Sequence, residues 1–252
     1  MPLPLITILG PTACGKTALA CRLAFQLDAE IISADSRQVY RNMDIGTGKD
    51  ISEYTLEGKN IPYHLINIAN AGERYNVFEF QQDFHRVYTD ISARNKPAIL
   101  CGGSGLYIEA VLKGYAFQKP VQAIPSIIFG LKGNRDLVRE RITLRLKERL
   151  ENGLVEEVEA LLRQGLTPER LIRYGLEYKF LTLYIQKELS EEELFRQLNI
   201  AIHQFSKRQM TWFRKMERDG FIIHWLDIEW SMEEKLSHIE TLGANGGQRS
   251  GI

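Results

Sequence analysis

The chain has little that would anchor it, cross-link it or charge it. Its apolar runs fall well short of the roughly 20 residues that span a bilayer, so no membrane span is expected. The opening MPLPLITILG has neither a basic stretch nor a cleavage site, and a cytoplasmic protein is the expectation. Cysteine is scarce: three among 252 residues, Cys14, Cys21 and Cys101. An odd count without C-x-x-C argues against a disulfide scaffold or a zinc site, so free thiols are expected. Neither sign of charge is in excess, because 32 basic and 32 acidic residues cancel, and nucleic-acid binding would need a local patch. Internal repeats are absent. What is present, 44% hydrophobic and 25% charged residues, fits one globular domain or one domain plus a small appendage.

The chain is arranged around LITILGPTACGKT, Leu5 to Thr17. A β-branched apolar run feeds into GxxxxGK[ST], and an amphipathic segment follows, Lys16 to Leu27, with Leu19, Leu23 and Leu27 at helical spacing. Gly10 and Gly15 permit a turn that aims the backbone N–H groups of Thr12, Ala13 and Cys14 inward. Lys16 can then reach phosphate oxygens, the Thr17 hydroxyl can ligate Mg²⁺, and the helix N-terminus adds its partial positive charge. Cys14 reads as a small residue filling the loop. The loop alone does not say whether the phosphates belong to a nucleotide.

AEIISAD, Ala29 to Asp35, predicts a second buried strand. Carboxyl ends of strands face the ligand crevice in open α/β sheets, which places Asp35 near the phosphate loop; an N-cap or Asx-turn is the plainer alternative. Arg41 to Asp50 reads as an irregular loop, of a length that is usually functional or mobile. A short strand is expected at Tyr63 to Ile68. A helix capped by Asn76 then runs to Asn95, its stripe of Val77, Phe80, Phe84, Val87 and Ile91 being core. His64 and His85 have no second metal ligand at suitable spacing and read as structural.

AILC after Pro97 predicts a fourth strand running into GGSGLYIEAVL. There Gly102, Gly103 and Gly105 around Ser104 would allow a ligand close to the backbone. An irregular connection covers Gly114 to Pro125, and Ser126 to Leu131 is a fifth strand. Helices are expected at Arg135 to Asn152, Leu154 to Gln164, Glu177 to Lys187 and Glu191 to Arg218. Phe221 to Ile228 is a late strand at a sheet edge, with Trp225 and Trp230 in packing roles and a short helix after Ser231. The expected fold is α/β, a P-loop NTPase-like, mainly parallel sheet flanked by helices, with a helical C-terminal half. Residues 1–131 form the core, 132–220 a helical region packed on it, 221–230 the strand completing it and 241–252 a disordered tail. Two basic clusters stand out: Arg141, Arg145 and Arg149 at i, i+4, and Lys207, Arg208, Arg214, Lys215 and Arg218 among aromatics. Each is either a solvated face or a surface for a polyanion.

GPTACGKT, ADSRQVYRNMDIGTGK, GGSGLYI and FSKRQMTWFRK together resemble the isopentenyltransferase family, in its order and over residues 10 to 215. Its members include tRNA dimethylallyltransferases and the adenylate isopentenyltransferases that make cytokinins. The tRNA enzymes move a dimethylallyl group from its diphosphate to N6 of an adenosine beside the anticodon. The resemblance implies Asp35 as the general base, Ser104 orienting the reacting centre, and Arg145 neutralising the leaving diphosphate. The diphosphate would rest on Gly10, Thr12, Ala13, Cys14, Gly15, Lys16 and Thr17, with Mg²⁺ on Thr17. Ser36, Arg37, Gln38, Lys207, Arg208 and Gln209 would contact RNA. The implied partners are a tRNA anticodon loop and dimethylallyl diphosphate, with a monomer as the working unit. Two departures appear. The connection Tyr115 to Pro125 is too short for the helical insertion that embraces the anticodon stem, and RYGLEYK, Arg173 to Lys179, replaces the usual GYRE or GYKE. They leave open an adenylate acceptor, and more remotely a P-loop kinase. The eukaryotic zinc finger is absent, as in bacterial-type members.

Overall fold

The computed structural model describes residues 5–116 and 123–246. The elements are β1 (Leu5–Leu9), α1 (Lys16–Leu27), β2 (Glu30–Ser33), β3 (Thr55–Leu56), β4 (Lys59–Asn60), β5 (Tyr63–His64), α2 (Val77–Ala93), β6 (Ala98–Gly102) and α3 (Gly105–Lys113). After them come β7 (Ser126–Lys132), α4 (Arg135–Glu151), α5 (Leu154–Arg163), α6 (Pro168–Arg173), α7 (Leu176–Ile185), α8 (Glu191–Arg218), β8 (Ile223–Asp227) and α9 (Met232–Gly246). Six strands form one sheet in the order β5-β2-β6-β1-β7-β8, every pairing in it parallel. The fold is α/β, a parallel sheet flanked by helices, with a helical second half.

The strands are buried on both faces, so successive residues enter opposite cores. Ile8, Ile31, Ile99 and Phe129 join one hydrophobic cluster with α1 and α4–α8. Leu9, Ile32, Leu100 and Ile128 join another with α2, α3 and the end of α8. Helix α8 links the two: Leu194, Leu198 and Ile202 pack in the first, Phe213 and Met216 in the second. Its 28 residues extend about 42 Å at 1.5 Å per residue. Reciprocal capping boxes start α8, through Ser190 and Glu193, and α2, through Asn76 and Glu79.

Two expectations are corrected, the length of the third strand and the state of the tail. The third strand is only Tyr63–His64, because the left-handed backbone of Leu65 and Asn67 breaks it. Residues 41–50 are irregular, as expected; stretches left unassigned hold a turn of 3₁₀-helix (Ile51–Tyr54), the hairpin β3-β4 and α6. The helix after Ser231 reaches Gly246, since Leu236 and Ile239 are buried in the first cluster, so the tail expected to be disordered begins as helix. The rest of that tail, and the middle of the connection 114–125, lie outside the described residues. β8 is an edge strand, pairing with β7. No helix among the described residues is long and apolar enough to cross a membrane.

Candidate active site

A cavity of about 820 Å³ opens at the carboxyl ends of β1, β2 and β6. The central register brings these ends level, with Leu9 beside Gly102 and Ser33 beside Cys101. The chain after β2 lies so close to β6 that a Cβ on Gly102 would overlap the Ala34 carbonyl. Glycine is required there because backbone occupies the space of a side chain. The two glycine-lined junctions and Asp35 thus converge on one crevice.

The phosphate loop turns through left-handed backbone at Ala13 and Gly15. Thr12 to Thr17 all line the cavity, whereas Gly10 lies beneath, where a Cβ would meet Cys14 Sγ and the Leu131 carbonyl at 2.9 Å. Lys16 Nζ donates to the Pro11 carbonyl at 2.6 Å and lies 3.7 Å from Cys14 Sγ. All three cysteines are buried free thiols; burial pushes Cys101, in the cavity wall, up to about 12, so it is a neutral thiol at pH 7.

Asp35 lines the cavity. One of its oxygens accepts the Arg37 N–H at 3.0 Å, an Asx-turn that fixes the carboxylate without removing it from the crevice. Ser104 lies against the same turn: its hydroxyl accepts the Ser36 N–H at 2.9 Å and donates to Ser36 Oγ at 3.2 Å. Ser104 is outside the lining residues, so its contact is with the turn that carries Asp35.

Four of the residues expected to contact RNA, Ser36, Arg37, Gln38 and Gln209, are bonded within the chain. Gln209 is buried on α8; its carbonyl oxygen accepts the Thr12 N–H at 2.8 Å and its amide nitrogen donates to the Gly103 carbonyl at 3.0 Å. Both ends of the amide are engaged in bridging the two glycine junctions. Gln38 accepts from Ser33 Oγ and donates to the Gly48 carbonyl, both at 3.0 Å, tying β2 to the loop opposite. Arg37 donates to Glu177 at 2.5 Å and lies over the Phe205 ring, as does Arg208 from the other cluster. Lys207 and Arg208 are exposed. Lys215 is held by Glu109 and Asp219 at 2.9 and 3.0 Å.

The far wall is the loop Asp44–Ile51 facing Arg141, Arg145 and Arg149 of α4. Arg145 pairs with Asp50. Two charges that sequence reasoning missed hold this loop, Glu157 half-buried and Lys49 buried. Glu157 of α5 accepts the backbone N–H groups of Asp44, Ile45 and Gly46 at 2.7, 2.7 and 3.0 Å, and the Tyr178 hydroxyl at 2.8 Å. Lys49, 1% exposed, donates to the Tyr40 carbonyl, Asp44 and Asn67 at 2.6, 2.5 and 2.5 Å. All three of its protons have acceptors, although burial lowers its pKa. The signal for Glu157 was its place in RITLRLKERLENGLVEEV, and that for Lys49 its place at the end of ADSRQVYRNMDIGTGK. The arrangement can bind a polyanion beside Lys16 and bring a carboxylate to a second reactant.

Comparison with known proteins agrees with this geometry. The sequence matches the profile described as IPP transferase over residues 38–126 and 116–216. It is 50% identical to "tRNA dimethylallyltransferase 1" of Azobacteroides pseudotrichonymphae, covering 89% of this chain and 93% of that one. It is also 50% identical to the protein of that name from Parabacteroides distasonis, covering 92% and 95%. These alignments run over 284 and 292 positions against a chain of 252, so the relatives carry residues without a counterpart here. A solved tRNA isopentenylpyrophosphate transferase from Bacillus halodurans superposes with a TM-score of 0.85 at 27% identity, covering 96% of each chain. A eukaryotic dimethylallyltransferase solved acting on tRNA shares the fold, with a TM-score of 0.81 at 18% identity. Four sequence motifs, the convergence of both glycine junctions on one crevice and these matches lead to one conclusion: the chain belongs to the IPP transferase family.

Proposed function

We propose that this chain transfers a dimethylallyl group from dimethylallyl diphosphate to N6 of an adenosine beside the anticodon of tRNA. The observation that carries the reading is the placing of Asp35, the phosphate loop and the α4 arginines in one cavity at the strand ends. An exocyclic adenine amine is a weak nucleophile because its lone pair is delocalised into the ring. Its proton must leave as the new bond forms, and Asp35 is the carboxylate placed to take it. The N6–C1 bond forms, the bond from C1 to diphosphate oxygen breaks, and the electron pair leaves on the diphosphate. Lys16, the loop amides and Arg145 neutralise that charge. Ser104 supports the Asp35 turn through Ser36.

Mg²⁺ suits the donors available. Among the described residues no three His, Cys, Asp or Glu side chains gather to hold a metal, but Thr17 and Asp35 offer oxygens to the cavity. That set fits an ion taking most of its ligands from phosphate and water. When bound, it would add positive charge to the leaving diphosphate. The adenosine must leave the anticodon-loop stack to enter the crevice, at a cost of a few kcal/mol. Arg208, exposed, borders the mouth through Phe205, and with the neighbouring exposed Lys207 it suits the RNA backbone. The working unit is taken as a monomer, and a tRNA substrate supports a cytoplasmic location.

A second reading, transfer to a free adenine nucleotide, is favoured by one observation: the family profile matches in two pieces that meet at 116–126, where the connection is short. A competition assay separates the two. With dimethylallyl diphosphate, Mg²⁺, unmodified tRNA and AMP present together, N6-prenyl adenosine should appear in the tRNA digest. Prenylation of AMP alone would replace the first reading with the second.

A further inference from the structure

The α4 arginines do not have equal partners. Arg145 is paired with Asp50. Arg149 is only 14% exposed at its side chain, and its Nη1 stands 3.8 Å from Glu177 Oε1, beyond hydrogen-bond distance. Its Nη2 is buried without a hydrogen-bond partner among the described residues. Glu177, 3% exposed, is already engaged by Arg37 at 2.5 Å, so one buried carboxylate serves two guanidinium groups. Buried donors are rarely left unsatisfied unless something outside the chain completes them.

The backbone opposite is shaped for this arginine. Gly48 sits in left-handed backbone with a φ of 64°, and a Cβ there would overlap Arg149 Nη2. Glu177 lies in RYGLEYK, where the chain departs from the more usual GYRE or GYKE. Gly48, Arg149 and Glu177 therefore act as a set, one giving room, one giving charge and one holding it.

We infer that Arg149 is an anion-binding residue of this cavity, which takes an oxygen of the prenyl diphosphate alongside Lys16 and Arg145. The inference rests on the transferase reading above. Burial beside Arg145 lowers the guanidinium to about 10, which still leaves it charged at neutral pH. Arg149 lines the cavity, so a phosphate oxygen there would supply the counter-charge that Glu177 divides between two guanidinium groups, and a guanidinium recognises phosphate through its planar set of donors.

The test is calorimetric titration of the full chain with inorganic pyrophosphate and Mg²⁺, beside steady-state KM values for dimethylallyl diphosphate and for tRNA. Arg149→Met should weaken pyrophosphate roughly tenfold or more, the loss of a charge-assisted hydrogen bond. It should raise the KM for the prenyl donor similarly and leave the KM for tRNA unchanged. Arg149→Lys, which keeps the charge and guards against a folding defect in the first variant, should lose less. Gly48→Ala should lose pyrophosphate affinity by displacing the arginine, and should cost little further when added to Arg149→Met. Wild-type pyrophosphate affinity in Arg149→Met would overturn the inference, whether or not the KM for tRNA changed; a change in the tRNA term alone would assign the arginine to an RNA phosphate. Lys16→Ala is the control: if it too binds pyrophosphate normally, the fault lies with the transferase reading of the cavity.

Discussion

Glu157→Ala removes the carboxylate that holds Asp44, Ile45 and Gly46. Its four hydrogen bonds span 2.7 to 3.0 Å, and a bond to a charged group contributes about 1.5 kcal/mol or more net. The Asp44 N–H is exposed and finds water, so its loss costs little. The Ile45 and Gly46 amides and the buried Tyr178 hydroxyl would be left without acceptors, at about 1 to 1.5 kcal/mol each, for a total of about 4 kcal/mol. In a chain of 252 residues each kcal/mol moves the thermal midpoint by about 2 to 4 °C, so a fall of roughly 12 °C is expected. Urea unfolding supplies the free energy directly, with the slope unchanged if the native state stays compact. Glu157→Gln should lose about half as much, because one acceptor oxygen remains while its amide faces other donors. Tyr178→Phe should lose about 1 kcal/mol. The same loop carries Asp50, the partner of Arg145, so the KM for the prenyl donor should rise in Glu157→Ala. A stability loss below about 1 kcal/mol, against a native total of about ten times that, would refute the view that this carboxylate holds the cavity wall.

Other variants probe the remaining parts. Asp35→Ala should reduce single-turnover prenyl transfer by several orders of magnitude while pyrophosphate binding stays near wild type; equal losses in both would mean that the aspartate holds Mg²⁺. Lys16→Ala should show the opposite pattern, a weaker prenyl donor with a smaller change in kcat, read from saturation curves. Gly102→Ala places a methyl group on the Ala34 carbonyl and should cost about 3 kcal/mol or more by overpacking, measured by thermal unfolding. Glu30 is 2% exposed and lies below the usual 4.5, held there by Arg94 and by His64 against the opposing effect of burial. A lowered carboxylate stabilises fully above its unfolded value and progressively less as pH falls through its folded value. The stability gap between wild type and Glu30→Gln should therefore be widest near pH 7 and shrink below about 4.5. A gap that widened with acid would reverse the assignment.

What the sequence determined is what depends on neighbours in the chain. The phosphate loop with α1, the Asn76 cap and the limits of α8 were legible because a glycine turn, a capping side chain and a 3.6-residue period act within a few residues. Asp35 was legible as a strand-end carboxylate, and Arg145 through the resemblance to a family. Tertiary structure decided the rest. The hairpin β3-β4 has strands of two residues, too short to leave a period. Gln209 reads, through the resemblance, as an RNA contact beside Lys207 and Arg208 until α8 crosses the sheet and places its amide between Thr12 and Gly103. Glu157, Glu177 and Arg149 look like ordinary charges of solvated helices. Packing α4, α5 and α7 against the loop after β2 withdraws them from solvent, Glu177 completely and the other two in part, and a desolvated charge depends on which groups the fold brings within hydrogen-bond distance.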